Sequence, residues 1–458
     1  MALPPQIDPL PGGLLGNTST QTGGSSTGLI GTLTPSQIGA LVPTQIGTLV
    51  PTQISTLVPT QIGTLLPTLI GTLVPSQIAG LDRTQILGLT STQVANLSPT
   101  QLKGFASTQI AQLTPSQIGG LVPSQIAALD RTQIAGLTST QIINLASNLI
   151  AAITPDQIRG LNTDSVKALM PTQAGALTTT QITALTGTQL SNFSTTSLKA
   201  LTPTQLSSLA TTQTRVLDTT AVAALTPTQI GGLTTTQIGA FKTSQLNAIA
   251  PTQIAGLTTT QVAALKSSQI AGLGTTGIAA ITPSQITALS STQVQALSST
   301  ALKALASTQL AALSATQLRT LKTSQIAALD GADIRALSTA QIANLTTTQV
   351  RALTSTGVAA LGSAQIAALS TRQVAGLGAS QIGALATGQI AQFTATQLAA
   401  LGSTQIKSLS ASAIAALSTT QIQGLTPTAL RGLGTSQIAA FTTTQIQAMS
   451  TTQFHAIG

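Results

Sequence analysis

From Leu33 to Ile457 every eighth residue is Leu, Ile, Phe or Met, with no insertion or deletion anywhere between. Residues 34–457 therefore divide into 53 octads, and a degenerate octad, STGLIGTL at 26–33, precedes them. A period this short and strict limits the chain to a stacked array. One octad brings one Ile and one Leu to bury, too little to offset the entropy of ordering eight residues, so it folds only against copies of itself. Enzymes place chemistry on irregular loops, and no room for one exists between octads.

Label the positions a to h, with h the Leu33 series. Position a is Thr, Ser, Val or Asp; b is Pro, Thr or Ser; c is nearly always Thr or Ser; d is mostly Gln; e is Ile, Leu or Val; f and g are mostly small. A helix with its N-cap at a places proline at the first helical position, where its missing N–H is no loss. Gln then falls at N3 and completes an S/T-x-x-Q capping box. The preceding Leu and the Ile at e become the two members of a hydrophobic staple. Position c also has N-cap composition, and in LVPTQI octads Val at a cannot cap by side chain, which favours a start at c there.

Rare residues sharpen the assignment. All sixteen prolines within the octads, from Pro35 to Pro427, sit at b. Asp82, Asp130, Asp218 and Asp330 are at a, Asp156 and Asp164 at c, and Asp333 at d, all near the positive end of a short helix. Eleven of the seventeen bases are at f, toward the negative end. A strand, with little net dipole, gives no reason for that polarity. A continuous helix would carry proline in its interior, at about 3 kcal/mol each. A β-solenoid with 16-residue coils is the serious alternative for so Thr-rich a chain, but e and h are three apart and would point to opposite faces of a strand. The expectation is an all-α solenoid of very short helices, one per octad. It runs continuously over residues 26–458, behind a disordered Pro/Gly/Ser/Thr-rich tail at 1–25.

Composition narrows the chemistry. Charged residues make up 5% of the chain, Cys, Trp and Tyr are absent, and His455 is the single histidine. Disulfides and thiolate metal sites are excluded, no acid–base pair is placed for catalysis, and the stretch LGTTG at 273–277 lacks the endings of phosphate loops. The chain is expected to be no enzyme and to use no cofactor or metal. No apolar run is long enough to span a bilayer, and MALPPQIDPLPGG has neither the basic nor the apolar part of a cleavable secretion signal. The net charge of +9 leaves one binding candidate. Lys303, Arg319, Arg335 and Arg351 recur at f in every second octad, as a cationic row that either keeps the protein soluble or meets an anionic polymer.

The phrase LTPSQIGAL at 33–41 resembles the opening helix of a TAL-effector repeat, with its Leu-Thr-Pro-x-Gln start. That family's two-helix repeats carry a base-reading pair that the octads lack, so DNA reading is not implied. The array of STQIAAL-like octads over 26–457 is similar to octapeptide-repeat regions of large bacterial surface or secreted, adhesin-like proteins. This resemblance implies a non-enzymatic structural or adhesive repeat protein, a spacer or self-assembling rod that is extracellular or at the cell surface. The alternative is a cytoplasmic scaffold binding a peptide or nucleic acid through its cationic face. Because solenoids normally carry polar terminal caps, octads running to Ile457 suggest a segment of something longer, or stacking end to end on other copies.

Overall fold

The computed structural model describes residues 30–458. Among them lie 53 α-helices, one for each octad from 34 to 457, after a short 3₁₀ turn at Ile30–Thr32, and no strand. The helices are four to seven residues long, and every one but Gly274–Ala279 begins at position b. The β-solenoid alternative is thereby set aside. The tail expected at 1–25 lies outside the described residues.

Octad 82–89 shows how each helix is made. Asp82 at a has extended backbone (φ −82°, ψ 175°). Its Oδ1 accepts the N–H of Gln85 at 2.9 Å, while Gln85 Oε1 accepts the N–H of Asp82 at 3.0 Å. Two of the N–H groups that a helix start leaves orphaned are satisfied by this exchange. Leu81 and Ile86, the staple pair, are both buried. The helix Arg83–Gly88 stops because Leu89 returns to extended backbone (φ −66°, ψ 134°) after donating its N–H to the Ile86 carbonyl. Gly274, at φ 65°, is the one positive-φ glycine among the described residues, so the turn between octads does not depend on a left-handed cap.

A start at c in the Val-Pro octads is not what forms. The helix Pro43–Gly47 begins at b, with Val42 as its N-cap. Valine supplies no side-chain acceptor, but Gln45 Oε1 still accepts the Val42 N–H at 2.9 Å, and Pro43 presets the helical φ at N1. Half a capping box plus proline suffices to hold the frame.

The chain forms two compact units, Met1–Leu225 and Thr226–Gly458, and the boundary falls between octads. Within each unit the octads wind into coils. Each helix packs on the helix three octads on, as Pro59–Thr64 does on Arg83–Gly88. The Gln at d reaches farther. Gln85 Nε2 donates to the carbonyls of Ile54 and Leu57, both at 2.8 Å and 31 and 28 residues back. In the second unit Gln349 Nε2 donates to Leu318 and Leu321 at 3.0 and 2.8 Å over the same separations. One coil therefore takes between three and four octads. Positions e and h line its interior, and most of these side chains are almost wholly buried. The small f and g residues let coils approach. A Cβ on Gly88 would lie 2.7 Å from the Cα and carbonyl oxygen of Pro59, closer than any side chain tolerates.

The Gln amide is thus a buried polar group with every bond made, and its removal orphans partners at both ends. Gln133 accepts the Asp130 N–H at 2.9 Å and donates to the Leu102 and Phe105 carbonyls at 2.8 and 2.7 Å. Gln133→Leu is expected to cost about 2–4 kcal/mol, from the buried groups left without partners. Gln133→Glu, which keeps the acceptor and loses the donor, should cost no less at neutral pH. Faster amide hydrogen exchange confined to residues 98–105 and 130–137 is the readout, because arrays with nearest-neighbour stability open locally.

Candidate functional site

Residues at f fall in or just after the last helical turn, and side chains there emerge from the coil. Lys303 closes the helix Ser299–Lys303 and Arg319 the helix Ala315–Arg319. Arg335 and Arg351 stand in the last turns of Gly331–Ala336 and Thr347–Ala352. All four are exposed, with their charge at the negative helix end. They recur in every second octad, whereas coils stack on partners between three and four octads away. Lys303 and Arg335, four octads apart, both act on one group, the carboxylate of Asp330. In the first unit, basic side chains also lie across the coil step. The Arg131 guanidinium donates to the Arg159 carbonyl at 3.3 Å, and Arg159 Nε donates to the Ala184 carbonyl at 3.4 Å. The exposed His455 sits in the last helix, Thr451–Ile457. Among the described residues no group of three His, Cys, Asp or Glu side chains could hold a metal ion.

The octad that begins at Asp330 departs from the rest. Asp330 Oδ1 accepts the N–H groups of Asp333 and Ala332 at 3.1 and 2.9 Å. The Asp333 N–H is the main cause that holds the Asp330 carboxyl below its ordinary value, with Ala332, Lys303 and Arg335 adding to it against a desolvation cost. Asp333 occupies the d position, is 7% exposed, and accepts the Asp330 N–H at 3.0 Å. Burial pushes its carboxyl up, and the neighbouring Asp330 charge adds to the shift. Position d is elsewhere mostly Gln, which delivers N–H donors to carbonyls one coil back; in eight octads it is Leu, Ala or Gly and delivers none. Serine can do the same with its hydroxyl, since Ser165 and Ser197 donate to Leu137 and Leu169 at 2.7 and 2.6 Å. An ionised aspartate cannot. At Asp82 and Asp130 the carboxyls are lowered, first by the hydroxyls of Thr84 and Thr132 and then by the N–H groups of Gln85 and Gln133.

These shifts have opposite consequences for acid stability. At Asp82, Asp130 and Asp330 the folded carboxyl is the stronger acid, so their contribution is present above the ordinary value of 3.8 and is lost as pH falls through the lowered one. Asp333 holds its proton more tightly folded than unfolded, so its contribution is present at low pH and is lost as pH rises from 3.8 through the raised value. Asp333→Gln is therefore expected to stabilise the protein at pH 7 and to have less effect at pH 3. The gain is about 1 kcal/mol if the amide reaches the carbonyls one coil back. Hydrogen exchange of residues 298–337 at the two pH values measures it.

The cross-coil task of Gln is the role that the octad reading misses, since a capping box explains Gln at N3 without it. A signal was nevertheless available. Glu serves a capping box as well as Gln and suits the helix dipole better, yet the chain contains no Glu. An acceptor alone is not what position d requires.

Comparison with known families finds one model in this chain, described as the ALTTAQ repeat. It matches residues 150–187 in the first unit and 238–275, 326–363, 358–395, 395–427 and 423–451 in the second. Four of these matches begin at Ile150, Ile238, Ile326 and Val358, all at position e, so the family model keeps the octad frame. A search of the curated proteins finds no match. What the chain is similar to, over less than half its length, is a repeat family whose segments recur in both units.

Proposed function

We propose that this is a non-enzymatic structural repeat protein, an extended spacer or adhesive rod displayed outside a bacterial cell. The observation that carries the reading is the use made of polar groups. The Gln amides join coils, the hydroxyls and carboxylates at a cap helix starts, and the hydroxyls at c pair with those caps, as Thr178 Oγ1 does with Thr180 Oγ1 at 2.9 Å. Residues that would bind and turn over a substrate are already engaged in holding neighbouring octads. The adhesive and extracellular parts rest on the resemblance to octapeptide-repeat regions of bacterial surface proteins. No helix among the described residues is long and apolar enough to cross a membrane, so attachment by a helical span within them is not part of the proposal.

Small-angle scattering tests the spacer. A compact chain of 458 residues has a radius of gyration of about 23 Å, and the spacer requires a value well above that. Recovery from cell-surface or culture fractions supports the location, and recovery from the cytosol alone removes it.

The second reading, a scaffold for an anionic polymer, is favoured by the exposure of the bases at f, Lys303, Arg319, Arg335 and Arg351. Without Tyr or Trp such binding would be electrostatic and sequence-independent, lacking the aromatic stacking that single strands prefer. On this reading, Arg319→Ala combined with Arg335→Ala weakens binding to heparin or duplex DNA and flattens its salt dependence. Unchanged binding at about 50 mM salt would rule it out.

A further inference from the structure

Where position d carries only a small side chain, the joint between coils keeps its other groups. Octad 426–433 has Ala429 at d. Its partners one coil back, by the separations of 31 and 28 residues that glutamine spans, are the carbonyls of Leu398 and Leu401. Leu398 is wholly buried and Leu401 is 2% exposed. The Leu398 carbonyl accepts the Leu401 N–H at 3.1 Å and keeps a second lone pair. Among the described residues nothing donates to the Leu401 carbonyl, and the Thr426 N–H meets no acceptor. In the next octad the amide of Gln437 engages the equivalent three groups, the Gly434 N–H and the Ile406 and Leu409 carbonyls.

The pattern recurs at two further octads. Gly357 stands at d above the carbonyls of Ile326 and Leu329, which are 0% and 1% exposed, and Ala413 above those of Ile382 and Leu385. Among the described residues nothing donates to the Leu329 or Leu385 carbonyl, and the N–H groups of Thr354 and Ser410 meet no acceptor. Neighbouring joints keep the coils from closing over the small residue. Gln421 and Gln437, on either side of Ala429, hold the Phe393 and Leu409 carbonyls at 2.6 and 2.7 Å. Gln349 and Gln365, on either side of Gly357, hold those of Leu321 and Leu337 at 2.8 and 2.6 Å. The spacing is therefore that of a joint built around an amide. Other octads fill the position instead. Leu69 and Leu149 bury aliphatic side chains there, and at Gly277 the side chains of Leu273 and Ile254 come within 3.0 and 3.2 Å of where a Cβ would stand.

We infer that the joints at Gly357, Ala413 and Ala429 each bind one structural water molecule. Its oxygen accepts the N–H at a, and its two O–H groups donate to the e and h carbonyls one coil back. Water thus makes the same set of bonds as the amide head of glutamine, one accepted and two donated. Buried waters typically make about three bonds to polar groups that have no other partner, and a bridging water is nearly as good enthalpically as a direct bond. One heavy atom replaces the four by which glutamine exceeds alanine, so size is no obstacle.

A crystal structure of the full chain, fine enough to place waters, tests the inference. One ordered peak is expected at each joint, about 2.7–3.0 Å from the h carbonyl oxygen and from the nitrogen at a. Joints without such a peak, or coils drawn together until protein donors meet these carbonyls, overturn it. Oxygen-17 relaxation dispersion gives an independent reading in solution. Ala413→Gln with Ala429→Gln installs the residue that most octads carry at d, and is expected to remove two long-lived waters from the wild-type signal. An unchanged signal from the folded double variant overturns the inference, and if that variant does not fold the wild-type crystal structure decides.

Discussion

One side-chain amide fills the role that a longer repeat would divide among several residues. In a helix of four to seven residues almost no backbone group has a partner inside the helix, because the first four N–H groups and last four carbonyls of any helix lack one. Burying such helices would be prohibitive without external partners. The Gln at d answers at both ends: Oε1 takes an N–H at its own helix start, and Nε2 supplies carbonyls at the end of a helix one coil back. Cap and packing contact are the same residue. Local order and long-range order therefore form together, and neither is stable alone.

This coupling explains why the octad could be read so far and no farther. Helix starts, their polarity and the buried pair at e and h are decided within eight residues, by proline at b, hydroxyl at a and aliphatics three apart. All of that is visible in a phrase such as LTPSQIGAL. The coil step is decided between octads, by how far a glutamine reaches and how closely Gly88 approaches Pro59, and no local pattern encodes it. The same gap affects the bases. Lys303, Arg319, Arg335 and Arg351 recur in every second octad along the chain, but their neighbours in space are set by a coil of between three and four octads. Hence Lys303 faces Asp330. The start at c in Val-Pro octads failed for a related reason, since the glutamine half of the cap does not depend on what residue stands at a.

Departures at d show which property of glutamine matters. Serine is shorter but donates, and Ser165 is helped by Asn162, whose amide reaches the Ala135 and Leu137 carbonyls. Asp333 keeps the acceptor and loses the donor, and burial raises its carboxyl above the ordinary value. Its octad also gathers opposite charges, Lys303 and Arg335 both acting on Asp330. A position occupied by an uncharged donor in most octads becomes titratable in an octad that also carries Asp330 and Arg335.

The fractional coil also decides how damage spreads. Each helix lies across the junction of two helices in the coil beneath, packed on one three octads away and bonded to the end of another four octads away. Masons lay bricks in running bond for the same reason: no joint continues straight into the next course. A chain whose coil held a whole number of octads would have a vertical seam along which layers could part. Here a fraying helix loosens two half-neighbours rather than one full column, and unwinding has to proceed course by course around the axis.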